Sequence, residues 1–217
     1  MIQNCIKNIK CIKNIKCIKT TKNIINRGKG AGGSNTNKNG MSYEKITDLN
    51  DSFIVLKEEP YSKTIQFNEN NKKFIRTRQS KFFKYTNEKG YLKNEIEKAH
   101  GCKNPDECYI DEINKNIFII EKKFQQGSGS VCEKIQTPDF KRWQYERSFP
   151  SFKIIYIYCL SHWFKDNCKA ELEYLKYINI NVFWGNDSKY KKNIINFINS
   201  SFCYYISAFE MFKNICY

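Results

Sequence analysis

Asp106, Glu121 and Lys123 are two acids and an ammonium whose spacing suits metal-assisted hydrolysis. They lie within Pro105–Gln126, PDECYIDEINKNIFIIEKKFQQ, which reads as two short strands around a polar turn. The first strand is Cys108–Asp111 with its approach from Pro105, and the second is Ile117–Phe124. Glu112–Asn116 supplies the turn, with Asn114 and Asn116 suited to tight or left-handed positions. A hairpin symmetric about the midpoint of Ile113 and Asn114 sets Asp106 opposite Glu121. Lys123 then lies one step along on the same face, because strand side chains alternate. Directly opposed residues have Cβ atoms about 4.5–5.5 Å apart. Two carboxylates at that distance repel one another unless a cation lies between them. A hard dication such as Mg²⁺, with oxygen ligands at about 2.0–2.1 Å, fits the gap. Asp111, the other acid of the first strand, falls opposite Asn116, about 16 Å along the strand from the level of Glu121.

Other elements must hold this hairpin. A helix from Met41 or Ser42 to about Leu49 places Tyr43, Ile46 and Leu49 on one side and Glu44 on a neighbouring face. Its cap comes from the end of the Gly/Asn-rich run Arg27–Gly40, a flexible lead-in that lacks the GK[ST] ending of a phosphate-binding loop. Phe53–Leu56 and Tyr61–Phe67 are short strands about a turn at Pro60. Lys72–Lys84, KKFIRTRQSKFFK, reads as a helix with two uses. It packs Phe74, Ile75, Phe82 and Phe83 into a core, or it presents Arg76, Arg78 and Lys81 to phosphates and base edges. Tyr91–Lys98 is a further helix, stopped by Gly101.

The polar loop Gln125–Ser130 follows the hairpin. A helix then runs from about Ser130 to Tyr145, opened by the capping box Ser130-Val131-Cys132-Glu133 and broken or restarted at Pro138. Phe152–Leu160 is near-continuously apolar, as in a central strand covered on both faces. After a loop at Ser161–Asn167 come a helix, Lys169–Tyr177, and a buried strand, Ile180–Trp184. That order argues for parallel pairing beside the hairpin. Tyr190–Ser200 is a last helix ahead of an aromatic run to Tyr217. The expected class is α/β: a mixed sheet carrying the hairpin, flanked by helices.

Pro105-Asp106, fourteen residues, then Glu121-Lys122-Lys123 resembles the PD-(D/E)XK motif of the restriction-endonuclease-like nuclease superfamily. Asn35–Glu44, NTNKNGMSYE, and Gly129–Thr137, GSVCEKIQT, resemble type II restriction endonucleases of that superfamily. The resemblance covers residues 30–197. It implies a restriction-endonuclease-like core and hydrolysis of double-stranded DNA at a specific sequence. It implies one or two Mg²⁺ ions on Asp106, Glu121 and the backbone carbonyl of Lys122, with Lys123 orienting the attacking water. Glu44, on the first helix, is a further metal candidate; its alternative is a carboxylate favoured by the helix macrodipole. Gln125, Lys134 and Gln136 follow as DNA-binding or supporting residues, beside Arg76 and Arg78. The implied partners are duplex DNA, a second copy of the chain matching a palindromic target, and a cognate DNA methyltransferase. A repair or junction-resolving nuclease of the same fold is the nearest alternative. Outside enzymes, the alternative is a non-catalytic DNA-binding protein.

Composition bounds these readings. At 217 residues, 41% hydrophobic and 15% aromatic, the chain is long and apolar enough for a real core. Its net charge of +15 suits a polyanion, or reflects Lys- and Asn-rich coding. The charge is uneven: no acid precedes Glu44, and that region alone carries +9. Residues 1–29 hold a six-residue Lys/Ile/Cys repeat, read as a low-complexity tail or a basic arm that tracks DNA, and residues 30–217 as the nuclease domain. The ten cysteines form no CxxC pair, which favours reduced thiols in an intracellular compartment. His100, Cys102 and Cys108 fit no strong zinc pattern. Cys159 is expected in the core, and His162 as a structural or surface histidine.

Overall fold

The computed structural model describes residues 34–68, 70–92, 103–127 and 131–200, without the side chains of 34–38 and 131. The Lys/Ile/Cys repeat, most of the expected Tyr91–Lys98 helix, His100, Cys102, the Ser130 cap and the C-terminal aromatic run lie outside the described residues. In chain order the elements are α1 (Ser34–Ile46), β1 (Phe53–Glu58), β2 (Lys63–Phe67), β3 (Lys73–Thr77), α2 (Ser80–Glu88), β4 (Glu107–Asp111) and β5 (Asn116–Lys123). There follow α3 (Val131–Lys134), α4 (Pro138–Ser148), β6 (Lys153–Leu160), α5 (Trp163–Asn167), α6 (Lys169–Tyr177), β7 (Asn181–Trp184) and α7 (Tyr190–Ser200).

The seven strands form one mixed sheet in sequence order. β1 to β5 are an antiparallel meander, and β5, β6 and β7 run parallel. β5 pairs with β6 along its whole length, from Asn116 opposite Lys153 to Lys123 opposite Leu160. The apolar run at 152–160 therefore becomes a central strand, because only a strand covered on both faces can bury consecutive isoleucines and tyrosines. Alternation sorts the strands onto two cores. On one face Cys108, Ile110, Ile117, Ile119, Tyr156 and Tyr158 pack with Phe82, Tyr145, Phe149, Phe164 and Leu175 of the helical layer. On the other, Tyr109, Phe118, Ile120, Ile157 and Cys159 pack with Tyr43 of α1 and Tyr190, Ile194 and Ile198 of α7. No helix among the described residues is long and apolar enough to cross a membrane.

Several expectations are corrected. Lys72–Lys84 is not one helix but β3, a break and α2. β3 buries Phe74 on one face and Ile75 on the other, so its period of two is hidden in a run that also fits a helical stripe. Gln79, at φ 49, turns the chain and donates its N–H to the Pro105 carbonyl at 2.7 Å. α1 begins at Ser34, well ahead of Met41: the run contains no proline, and a Cβ on its Gly40 would meet nothing within 4 Å. Ile46 is exposed, and Thr47, four residues after Tyr43, takes the buried position instead. Trp163–Asn167 is a short helix rather than a loop, and β7 is half-buried rather than buried.

Gly185, just past β7, is where α1 meets the sheet. A Cβ there would lie 2.2 Å from the Tyr43 hydroxyl and 2.5 Å from Thr47 Cγ2. Gly185→Ala is therefore expected to lower stability by about 1–3 kcal/mol through overpacking. Urea unfolding of the purified variant measures it; an unchanged midpoint would mean that α1 yields freely at this contact.

Cys132 of α3 and Cys168, at the junction of α5 and α6, form a disulfide across 36 residues of sequence. This corrects the expectation of reduced thiols for that pair, while Cys108 and Cys159 are free and buried. Only the tertiary fold brings these cysteines together, so their spacing carried no signal. In the chain-entropy account, a closed loop of this length stabilises by about 4 kcal/mol. Cys132→Ser with Cys168→Ser should lower the urea midpoint accordingly, and adding reductant to the unaltered protein should reproduce that loss. Equal midpoints with and without reductant would rule the contribution out.

Candidate active site

β4 and β5 pair in the register that the turn midpoint implies, from Asp111 opposite Asn116 to Glu107 opposite Ile120. The left-handed turn position is taken by Lys115 at φ 54 rather than by either asparagine. Asp111 serves the turn: its carboxylate accepts the Asn114 N–H at 2.9 Å and side-chain amide at 2.6 Å. The next step beyond Glu107 and Ile120 sets Asp106 against Glu121.

Asp106 Oδ2 accepts the backbone N–H of Lys122 at 2.7 Å. In an extended strand the N–H and C=O of one residue point to the same side, so the Lys122 carbonyl also faces Asp106. Burial pushes the Asp106 carboxyl up to about 6, Glu121 adding to the effect while the Lys122 N–H and Lys123 oppose it. Glu121 is buried, and its Oε1 accepts from Lys123 Nζ at 2.6 Å and from Lys141 Nζ at 3.3 Å. Burial raises this carboxyl too, but the two ammoniums outweigh it and hold Glu121 below the usual range. The environments thus push the two acids apart, a recurrent property of catalytic carboxylates and of structural ion pairs alike.

Lys122 points to the opposite face of the sheet. Its Nζ lies 2.8 Å from Glu107 Oε2 and donates to the Glu44 carbonyl at 3.3 Å. Glu107 Oε1 also accepts from the Arg76 guanidinium at 3.3 Å and from the Tyr109 hydroxyl at 2.6 Å. Arg76 completes the cluster with two contacts to Asp48, at 3.1 and 3.2 Å. Arg76 is therefore a buried structural cation and not a surface contact for nucleic acid, which corrects its expected role. The reason is its place on β3, where it shares a face with Phe74. Arg78 is half exposed and makes a looser 3.6 Å ion pair with Asp48.

The other expected residues are dispersed. Glu44, on α1, is half-buried over the same end of the hairpin, and its charge adds a smaller push to the Asp106 carboxyl. Gln125 follows β5, its N–H on Ser161 Oγ and its side-chain amide on the Gly127 carbonyl. Lys134 is exposed on α3, and Gln136 donates to Glu171 of α6 at 3.1 Å. His162 is exposed and meets Asp187, as a surface histidine. Cys132, Cys168 and Glu171 lie close together, but both sulfurs are taken by the disulfide.

Sequence reading missed Lys141. On α4 it shares the inward face with Tyr145 and Ser148, at the spacing of one and two turns. A lysine on the inward face of a helix was the available signal. Tyr156 and Tyr158 of β6 line the same side; burial keeps both hydroxyls protonated, and the Glu121 charge adds to it. Asp106, Glu121 and the Lys122 carbonyl offer oxygen donors alone, the set that suits a hard dication such as Mg²⁺. No family model, curated protein or solved structure matches this chain.

Proposed function

We propose that this chain is a Mg²⁺-dependent endonuclease of the PD-(D/E)XK type, cutting double-stranded DNA at a specific sequence as a type II restriction enzyme. The observation that carries the reading is the hairpin register. Carried one step past Glu107 opposite Ile120, it sets Asp106 against Glu121, whose charge is felt at Asp106, with Lys123 Nζ 2.6 Å from Glu121 Oε1. A helix bearing Glu44 at the same end of the hairpin, and parallel pairing of β6 beside β5, support a restriction-endonuclease-like core.

Asp106, Glu121 and the Lys122 carbonyl would hold the dication, which when bound would lower the pKa of a water and offset charge on the scissile phosphate. Lys123 orients the attacking water and stabilises charge developing on the phosphoryl oxygens. The Lys122 N–H fixes the Asp106 carboxylate, so one residue presents both its N–H and its C=O to the site. Tyr156 and Tyr158 wall the Glu121 side and limit water there. Duplex DNA, a second copy of the chain for the second strand, and a methyltransferase protecting the same target are the partners of this reading.

The test is a digest of a large unmethylated DNA with purified protein, with and without Mg²⁺. Discrete Mg²⁺-dependent fragments are expected, and mapping their ends gives the target. A smear would replace sequence specificity by structure-directed or non-specific cutting. Intact DNA that shifts on a gel would make the protein a binding module and overturn the enzyme.

A further inference from the structure

We infer that Lys141 is a phosphate-binding residue of the active site, released from Glu121 when a dication arrives; this rests on the nuclease reading above. The geometry that points to it is the sharing of one oxygen. Glu121 Oε1 accepts from Lys123 at 2.6 Å and from Lys141 at 3.3 Å. With Asp106 and Glu121 ionised, the two ammoniums bring the net charge of the cluster to zero. A dication on the same carboxylates gives the cluster a charge of about +2, in a site where charges interact more strongly than in water. Two ammoniums and a dication gathered on one acid pair repel one another, so the more loosely held ammonium is driven off, and the cluster then attracts an anion.

Lys141 is the one placed to move. Its contact is the longer of the two, and it comes from α4, across the site from the strand that carries both Glu121 and Lys123. Its side chain is 16% exposed, so the ammonium reaches solvent at the rim without crossing the core. Lys103 stands near enough for its charge to be felt there, and its carbonyl is anchored by the Tyr145 hydroxyl of the same helix. A second cation therefore stands beside Lys141 at this rim, as expected where a DNA strand is gripped by its phosphates. Free of Glu121, Lys141 Nζ donates to a non-bridging oxygen of the phosphate being cut or of its neighbour. In the metal-free protein the same lysine is a stand-in cation that keeps the two acids from repelling one another.

The test compares the unaltered protein with Lys141→Met, using a short duplex that spans a mapped cleavage end. Binding is followed by fluorescence anisotropy in Ca²⁺ across a salt series, and Mg²⁺ binding without DNA by calorimetry. Loss of one phosphate contact should flatten the slope of log K against log salt by about 0.9. Mg²⁺ should bind Lys141→Met at least as tightly as before, because a competing cation is gone. An unchanged salt slope, or markedly weaker Mg²⁺ binding in the folded variant, would overturn the assignment. Lys141→Gln, which keeps most of the stem and a donor, is measured in parallel and should show the same flattening. If neither variant folds, Lys141 is a structural counter-ion and the inference falls. Failure of the unaltered protein to bind any duplex would instead sink the nuclease reading, a result distinct from an unchanged slope.

Discussion

Asp106→Asn, Glu121→Gln and Lys123→Met are each expected to reduce Mg²⁺-dependent DNA cleavage by about 10²–10³-fold or more, the cost of deleting one preorganised charge from a site of this kind. The two acids are also expected to act oppositely on stability. Asp106 is pushed up to about 6 by burial first and Glu121 second, against an ordinary value of 3.8. A carboxyl that holds its proton more tightly when folded contributes stability that is complete below the unfolded value and lost as pH rises through the folded one. At pH 8 the unaltered, metal-free protein therefore carries a destabilising charge that Asp106→Asn removes. That variant should be inactive and more stable, by a margin that grows between pH 5 and pH 8.

Glu121 has the opposite sign. Although burial raises it, Lys123 and Lys141 hold it below 4.5, so its stabilising effect is present above its unfolded value and lost as pH falls through the folded one. Glu121→Gln should be inactive and less stable at pH 8, because two ammoniums lose their counter-charge. Thermal melts of both variants at the two pH values decide the matter. If both lose stability equally, the acids are interchangeable structural groups and the division of labour between them is wrong.

The hairpin was the most legible part of the chain because two independent constraints agree there. The polar turn fixes a midpoint, and the two-residue period of a strand fixes which side chains share a face, so Asp106 and Glu121 are paired one step past Glu107 and Ile120 before any packing is known. Lys169–Tyr177 and Tyr190–Ser200 were equally plain as amphipathic helices between turn residues. β3 was not, since a strand buried on both faces has no polar side to reveal its period. Arg76 misled for the same reason. An arginine beside phenylalanines resembles a nucleic-acid contact until its strand neighbour Glu107 is known to lie beneath it. Lys141 and the Cys132–Cys168 bridge are pairings between distant segments, and nothing local in either segment names the partner.

Glu107→Ala should destabilise the fold by about 3–5 kcal/mol, because it strands charge inside the protein rather than removing a surface contact. Glu107 is 1% exposed, with Arg76 and Tyr109 on one carboxylate oxygen and Lys122 Nζ 2.8 Å from the other, an ionic contact rather than an aligned hydrogen bond. Arg76 would keep Asp48, but Lys122 would face little more than the Glu44 carbonyl. Burial raises the Glu107 carboxyl, yet Lys122 and Arg76 outweigh burial and bring it below 4.5. Its stabilising effect is thus complete above the unfolded value and lost as pH falls through the lower folded one, so the difference from Glu107→Ala should shrink in acid.

Replacing the cluster whole tests the mechanism. Glu107→Leu with Arg76→Leu, Lys122→Met and Asp48→Asn leaves no unpaired buried ion, and should cost less than Glu107→Ala alone despite four changes. The cluster lies directly behind the Asp106–Glu121 pair, since Lys122 gives its side chain to Glu107 and its N–H to Asp106. Glu107→Ala measured well below its melting temperature should keep Mg²⁺-dependent cleavage, because that N–H belongs to the backbone. A large loss of cleavage in a folded Glu107→Ala protein would show instead that the buried charges set the position of Asp106, and the two faces of the strand would then be one site.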